Sequence, residues 1–436
     1  MSLTGKHVAI LGAGRSGRAA AALALREGAR VSAWDAAGPE ALTGMPADVE
    51  LHPNATEAEG AAVSCDLLVV SPGIDTYGPY VAAFAKNAGE VIGEVELAAR
   101  YYHGKIIGIT GTNGKTTTTE LVGRILAHAG LGGTPCGNYG TPFAEVAMQP
   151  NPPAAVALEL SSFQLETIRT LRPDVAVWLN FAPDHMDRYP TVEAYLTAKA
   201  RIFTNIRIGD TVVIRAGETV ALPDCVKVVF STLDPETEWF SNGHAILHRG
   251  EAVIDLDHET ALRGLHNAEN TMAAMAACAA LGVSAATMRQ ALQGYAPPPH
   301  RCELIRTLDG VEYLNDSKAT NLHALESALR SQTRPVILIA GGKEKGLDYS
   351  PVVPLLKQKA LAAVTFGQIA RPLAALFGEA VTVESVSTLA DAVHVARSLA
   401  PRGSTVLMSP GTSSFDQFSG YEQRGNTFRD LVHQLR

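Results

Sequence analysis

Cysteine is scarce. Five thiols stand in 436 residues, at positions 65, 136, 225, 278 and 302, and no two are in a CxxC spacing. Without that spacing neither a zinc knuckle nor a thioredoxin-like motif is suggested, and scattered single thiols fit a reducing compartment. A basic excess is also missing: 36 Lys and Arg against 44 Asp and Glu leave a net charge of −8. The chain therefore has no reserve of cations for neutralising a nucleic-acid backbone. Long apolar runs are lacking too. The most apolar stretch, "MAAMAACAALGV" from Met272, is short and alanine-rich and reads as a buried helix. The opening "MSLTGKHVAI" has no basic-then-apolar leader pattern. The expectation is a soluble cytoplasmic protein with no nucleic-acid partner and no membrane insertion.

What is present is a repeated alternation of apolar runs and helix-length segments. With 46% hydrophobic residues the chain has material for more than one core, and its length calls for two or three domains. "HVAILGAGRSG", "ARVSAWD" and "CDLLVVSPGI" are βα units, and such units imply a parallel sheet covered by helices. A second set starts at "KIIGITG" and continues through "AAVALEL", "DVAVWLN", "TVVI" and "VKVVF". A third contains "PVILIAGG", "AAVTFG", "AVTVES" and "TVLMSPG". The three prolines of "YAPPPHR" at 295–301 suit a linker. The expectation is an α/β protein of three domains: Rossmann-like over 1–94, a P-loop ATPase-like parallel sheet over 95–299, and Rossmann-like again over 300–436.

Several motifs carry chemistry. In "ITGTNGKTTTTE", Gly111, Thr112, Asn113, Gly114, Lys115, Thr116 and Thr117 lie between a strand and a helix. Glycines let backbone amides approach phosphate oxygens, and the helix start favours anions. Lys115 is placed for the β- and γ-phosphates of ATP and Thr116 for Mg2+. The strict P-loop pattern needs a glycine where Ile109 stands, so the match is to a variant. Gly12, Gly14 and Gly17 satisfy G-x-G-x-x-G, with Asp35 at the end of the next strand, where a ribose-binding acid belongs. This fits a nicotinamide dinucleotide or any nucleotide diphosphate. Glu159 ends an apolar strand and is placed for Mg2+ or for a salt bridge. Asp184, His185 and Asp187 follow another strand; His185 reads equally as a site or a structural residue, and Lys199 by itself as a solvated helix lysine. His266, Asn267 and Asn270 open a helix as nucleotide contacts or caps. "NDSKATN", "AGGKEKGLD" and "SPGTSSFDQFSGYEQRG" are rich in small donors and cations, which suits a carboxylate substrate.

Taken together, "GTNGKTT", "LELSSFQLE", "DHMDRY", "HNAEN", "NDSKATN" and "SSFDQFSGYEQRG" resemble the Mur ligase family of peptidoglycan synthesis over essentially the whole chain. The resemblance implies an ATP-driven, ADP-forming amide ligase that adds D-glutamate to UDP-N-acetylmuramoyl-L-alanine through an acyl phosphate. It places the protein in cytoplasmic cell-wall biogenesis, hence in the control of cell shape and division, and implies a monomer with ATP and a pair of Mg2+ ions. On this resemblance the first domain holds UDP through Ser16, Asp35, Ser71 and Gly73, with Asn138 near the reacting end. Residues 111–117, Asn270, Arg301 and Asp316 serve ATP. Thr116, Glu159, His185 and a carbamylated Lys199 serve the metals, with Lys115, His185 and Lys199 as the catalytic set. Lys318, Thr320, Lys345, Ser414, Phe415 and Tyr421 serve D-glutamate, with Lys343 as the alternative to Lys345. Arg15 stands where the family carries an apolar residue, and Tyr421 where it usually carries phenylalanine. The competing expectations are a Mur-type or folylpolyglutamate-type ligase with another acceptor, a nicotinamide oxidoreductase, and a non-catalytic ATP-binding scaffold.

Overall fold

A computed structural model describes residues 2–436 apart from Asp187, Pro297 and Pro298. The Asp187 of "DHMDRY" and two prolines of the expected linker thus lie outside the described residues. The chain divides into two compact units: residues 1–260 with 267–294, and residues 261–266 with 295–436. The first unit holds two sheets and the second holds one, giving three α/β domains.

The first sheet has five strands. His7–Leu11 lies at its centre, parallel to Arg30–Trp34 on one side and Cys65–Val70 on the other. Val8 to Leu11 and Leu67 to Val70 are all buried, as a parallel strand covered on both faces requires. The sheet reverses direction at this central strand, which opens a crevice at the carboxyl ends of its neighbours. Gly12 and Ser71 sit there.

The second sheet has nine strands. Lys105–Thr110 is flanked by Ala155–Glu159 and Val175–Trp178, all parallel, with Ile109 opposite Glu159 and Thr110 opposite Trp178. This places the 111–114 loop, Glu159 and Asn180 at one end of the sheet. Trp239–Ser241, Ala245–His248 and Glu251–Asp255 extend the far edge as an antiparallel meander, which the βα alternation does not announce. The helix Leu265–Ala280 is buried at nearly every position from Asn267 to Cys278, which accounts for its alanine and methionine run without a bilayer. Among the described residues no helix is long and apolar enough to cross a membrane.

The first two sheets share one apolar cluster, from Val8 and Leu23 through Val95 and Ala98 to Phe143, Val146 and Leu158. The helix Glu94–Ala99 stands in the middle of it. Its Glu96, fully buried, accepts hydrogen bonds from the backbone N–H groups of Arg169, Thr170 and Leu171 and from the Thr170 hydroxyl. Arg100, which caps the end of this helix, pairs with Glu96 at 2.9 Å. The apolar layer is thus continuous across residue 94.

The second unit has six strands. Glu303–Leu308 and Val311–Asn315 form an antiparallel hairpin, and the remaining strands are parallel. Asn315, Met408 and Gly341 end adjacent strands, so the loops at 316–320, 409–414 and 342–346 gather at one edge.

Candidate active site

In the first unit the nucleotide loop leaves the strand Lys105–Thr110 and turns into the helix Lys115–His128. Gly114 has φ 84°, and a Cβ there would stand 2.1 Å from the Asn270 side-chain oxygen. Only glycine fits, and the clash shows how closely Asn270 presses on the loop. Asn270 Oδ1 also lies 3.4 Å from the Thr118 hydroxyl. Asn180 braces the loop from the next strand, accepting from Asn113 N at 2.9 Å and donating to Asn113 O at 3.1 Å. Thr112 does the same with the backbone of Ala182. Thr117 is buried, while Thr116 is half-buried.

Two lysines converge on this loop. Lys115 Nζ donates to the carbonyls of Gly111 and Thr112 at 2.9 and 2.8 Å. Lys199 Nζ donates to Gly111 O at 2.7 Å and lies over the Tyr195 ring at 4.9 Å. Lys199 is 1% exposed. Burial holds its amine well below the usual lysine range, the charge on Lys115 pushes it further down, and Asp184 and Glu159 pull weakly the other way. The solvated surface lysine of the sequence reading is thus a buried one.

Glu159 is 2% exposed at the end of its strand. Its Oε1 accepts from Asn138 Nδ2 at 2.7 Å, and its Oε2 has no partner. A buried carboxylate oxygen left bare is costly unless a cation meets it, so this residue fits a divalent ion. His185 has φ 57° and packs edge-on against Phe163 and Tyr195. Among the described residues no three His, Cys, Asp or Glu side chains come together; any metal set has to include other ligands.

In the first sheet, Ser71 Oγ donates to Gly12 O at 2.9 Å. A Cβ at Gly17 would meet the same carbonyl at 1.9 Å, which fixes that glycine. Asp35 does not project freely from its strand: it accepts from Ala13 N at 3.1 Å and Ala37 N at 2.9 Å, tying the fingerprint loop down. Ser16 is half-buried, and Gly73 is open on its Cβ side.

In the second unit, Asp316 accepts from Ser409 Oγ at 2.8 Å and Cys302 N at 3.2 Å. Burial pushes its carboxyl up to about 7. Lys318 Nζ donates to the Tyr421 hydroxyl at 3.1 Å and stands over its ring at 4.7 Å. Burial raises the Tyr421 phenol to about 12. Thr320 and Arg301 are half-buried, Ser414 is buried and Phe415 is 64% exposed. Lys343 and Lys345 are both exposed. The Lys343 backbone is fixed through its N–H to Ser413 O and its carbonyl to Thr412 Oγ1, whereas the Lys345 N–H is held by Glu344.

The sequence reading missed the braces. Arg188 pairs with Asp75 and Glu166, both at 3.2 Å, and Tyr189 donates to Glu166 at 2.6 Å. This ties the segment after Ser71 to "SSFQLE" and "DHMDRY". Within "SSFQLE", Ser161 and Gln164 form a capping box on the helix Ser162–Leu165. Arg424, in "GYEQRG", is fully buried and donates to Ser317 Oγ and O and to Thr412 O at 3.0, 2.8 and 3.2 Å. It clamps the two loops that carry Lys318 and Ser414. Apart from Asp75 these residues lay inside quoted motifs, but an isolated arginine reads as solvated until its burial is known.

Three family models match the chain: "Mur ligase MurD-like, N-terminal domain" over residues 6–93, "Mur ligase middle domain" over 109–278, and "Mur ligase, glutamate ligase domain" over 300–411. A protein of Myxococcus xanthus named UDP-N-acetylmuramoylalanine--D-glutamate ligase is 43% identical, with 100% of each chain covered. Its namesake in Geobacter metallireducens is 38% identical over 100% of this chain and 99% of its own. The fold is similar to that of a pseudomurein peptide ligase type C from Methanothermus fervidus, with a TM-score of 0.61 at 16% identity over 99% of this chain and 100% of that one. It is equally similar to a MurF ligase from Thermotoga maritima in complex with ADP, with a TM-score of 0.61 at 15% identity over 99% and 96%.

Proposed function

Because this chain belongs to the Mur ligase family, we infer from its full-length relatives that it is an ATP-dependent ligase joining D-glutamate to UDP-N-acetylmuramoyl-L-alanine in peptidoglycan precursor synthesis. The observation that carries the chemistry is the meeting of Lys115 and Lys199 on the Gly111 carbonyl, in reach of the fields of Glu159 and Asp184. A carboxylate attacking the γ-phosphate of ATP is an anion approaching a polyanion, and it needs positive charge that is already in place, which the Lys115 ammonium supplies; burial beside that charge disfavours the charged form of Lys199.

The alanyl carboxylate of the first substrate attacks the γ-phosphorus; the bond to the β-phosphate oxygen breaks and ADP leaves. The amine of D-glutamate then attacks the acyl carbon, phosphate departs, and the amine loses its proton. Residues 111–117 cradle the phosphates, with the Lys115 ammonium moving from loop carbonyls to phosphate oxygens. Asn270 holds the loop and faces ATP, and Arg301 and Asp316 are assigned to the same nucleotide. Ser16, Asp35, Ser71 and Gly73 are assigned to UDP and Asn138 to the reacting end. Lys318, Thr320, Ser414, Phe415, Tyr421 and one of Lys343 or Lys345 are assigned to the D-glutamate carboxylates.

Glu159 and Thr116 would hold one Mg2+, and His185 with a carbamylated Lys199 the other. When bound, such ions supply charge neutralisation for the transferring phosphoryl group. The bare Oε2 of Glu159 supports the first assignment. The depressed amine of Lys199 supports the second, since only a neutral amine captures CO2 and the product is an anion. A cytoplasmic location and a monomeric state complete the reading.

The test is phosphate release from ATP with Mg2+ and UDP-N-acetylmuramoyl-L-alanine, comparing D-glutamate with L-glutamate, L-lysine and meso-diaminopimelate. Release that requires D-glutamate is expected. Release with another acceptor only would move the chain to a different specificity within the family.

A further inference from the structure

Arg15 opens the helix Arg15–Arg26 directly after Gly14. Its side chain leaves its own loop: Nη2 donates to the carbonyl of Gly140, 2.7 Å away and 125 positions along the chain. Gly140 belongs to the segment 137–141, a tight reversal in which Gly137 N donates to Thr141 O at 3.0 Å and Thr141 N to Pro135 O at 3.2 Å. Gly140 has φ 80°, and a Cβ there would lie 2.3 Å from Pro135 O, so the turn has no slack at that point.

The same short segment is tied at two other places. Asn138 donates its side chain to Glu159 Oε1 at 2.7 Å and its backbone N–H to Glu159 O at 3.0 Å. Tyr139 donates its hydroxyl to the carboxylate of Glu120, on the helix that begins with Lys115. One five-residue turn therefore touches the glycine-fingerprint helix, the buried carboxylate and the nucleotide-loop helix.

We propose that Arg15 is a positioning residue that links occupancy of the fingerprint loop by a nucleoside diphosphate to the ATP-binding loop. The inference rests on the substrate reading above. A guanidinium has five donors in a fixed fork. Gly140 takes one of them, and Arg15 is exposed, so the rest remain available to a phosphate at the amino end of the helix, where anions are favoured. Bridging phosphate and carbonyl fixes the turn, and the turn fixes Asn138 against Glu159 and Tyr139 against Glu120. Coupling of this kind is reciprocal: the first substrate tightens ATP, and ATP tightens the first substrate.

The test uses the full chain, with Arg15→Leu, Arg15→Lys and Tyr139→Phe compared by calorimetric titration. UDP is the first probe. A non-hydrolysable ATP analogue, with and without UDP-N-acetylmuramoyl-L-alanine, is the second. UDP affinity should fall about tenfold in Arg15→Leu and stay within about twofold in Tyr139→Phe, which keeps the arginine. The tightening of the ATP analogue by the first substrate should be present in the wild type and lost in both variants. Arg15→Lys should restore much of the UDP affinity, since the charge is kept, but not the coupling, which needs the fork. Wild-type UDP affinity in Arg15→Leu, or undiminished coupling in Tyr139→Phe, would overturn the proposal and leave the substrate reading intact. A wild type that does not bind UDP would overturn both.

Discussion

Lys115 and Lys199 donate to the same carbonyl oxygen, that of Gly111, over 2.9 and 2.7 Å. Two ammonium groups on one acceptor repel each other, and the buried one yields first, because burial already disfavours its charge. Neutral Lys199 can then add CO2. Protein incubated with 13C-bicarbonate should show a carbamate carbon signal that Lys199→Ala lacks. Lys199→Ala should also lower kcat/KM on the order of a hundredfold, about 2.7 kcal/mol of barrier. A wild type with no carbamate signal at saturating bicarbonate would sink the modified-lysine assignment.

Glu159 accepts from Asn138 with one oxygen and leaves the other bare. Glu159→Gln keeps the volume and an acceptor for Asn138 but removes the charge that a divalent ion needs. We expect a fall in kcat/KM of about a hundredfold, partly recovered by raising Mg2+, with little change in thermal stability. Titration of the ATP analogue at several Mg2+ concentrations checks this. An unchanged Mg2+ dependence would rule out Glu159 as a ligand.

The strands and the glycine loops were legible because each has a local cause. "HVAIL" and "AVALE" are fully or almost fully buried strands, and Gly12, Gly111 and Gly114 carry positive φ, which the turns at these strand ends require. Lys199 was not legible from local pattern, since nothing in "YLTAKARIF" distinguishes a lysine buried under Tyr195 from a solvated one. Asp35 was legible as a residue at a strand end, but its bonds to Ala13 and Ala37 were not. The meander Trp239–Asp255 escaped because short antiparallel strands at a sheet edge carry a weak periodic signal. The first two sheets share one apolar cluster, and beside it Glu96 meets residues 169–171, contacts that no sequence spacing encodes.

Arg424 offers a test in the second unit. Its guanidinium, fully buried, bonds Ser317 and Thr412, and burial draws it down to about 10. Arg424→Met would leave the Ser317 and Thr412 carbonyls without these donors, at about 1–3 kcal/mol for each group left unsatisfied. Arg424→Lys cannot reproduce the fork and should not rescue it. Hydrogen–deuterium exchange should speed up at 316–318 and 412–414, and KM for D-glutamate should rise more than KM for UDP-N-acetylmuramoyl-L-alanine. Equal changes in both would mean that the clamp serves general stability alone.

Glu94 sets a pH dependence. It is 3% exposed, accepts from Ala144 N at 2.6 Å and leaves Oε2 without a partner. Burial pushes its carboxyl up to about 7 from an ordinary 4.5, helped by the charge on Glu145 and opposed by the Ala144 and Phe143 N–H groups. The fold thus accepts the neutral acid. Its stabilisation is fully present below pH 4.5 and is lost as pH rises through about 7, because the unfolded chain ionises first. The loss approaches about 3 kcal/mol at pH 8, an order-of-magnitude figure. Glu94→Gln is neutral throughout, so its stability should match the wild type below about pH 4.5, exceed it increasingly between about pH 4.5 and 7, and keep a constant advantage above that. Trp34, Trp178 and Trp239 all belong to the first unit, so urea unfolding followed by tryptophan fluorescence reads that unit directly. Parallel curves for the two proteins from pH 4.5 to 8 would show that Glu94 ionises in place without cost, and that a cation or water meets its bare oxygen.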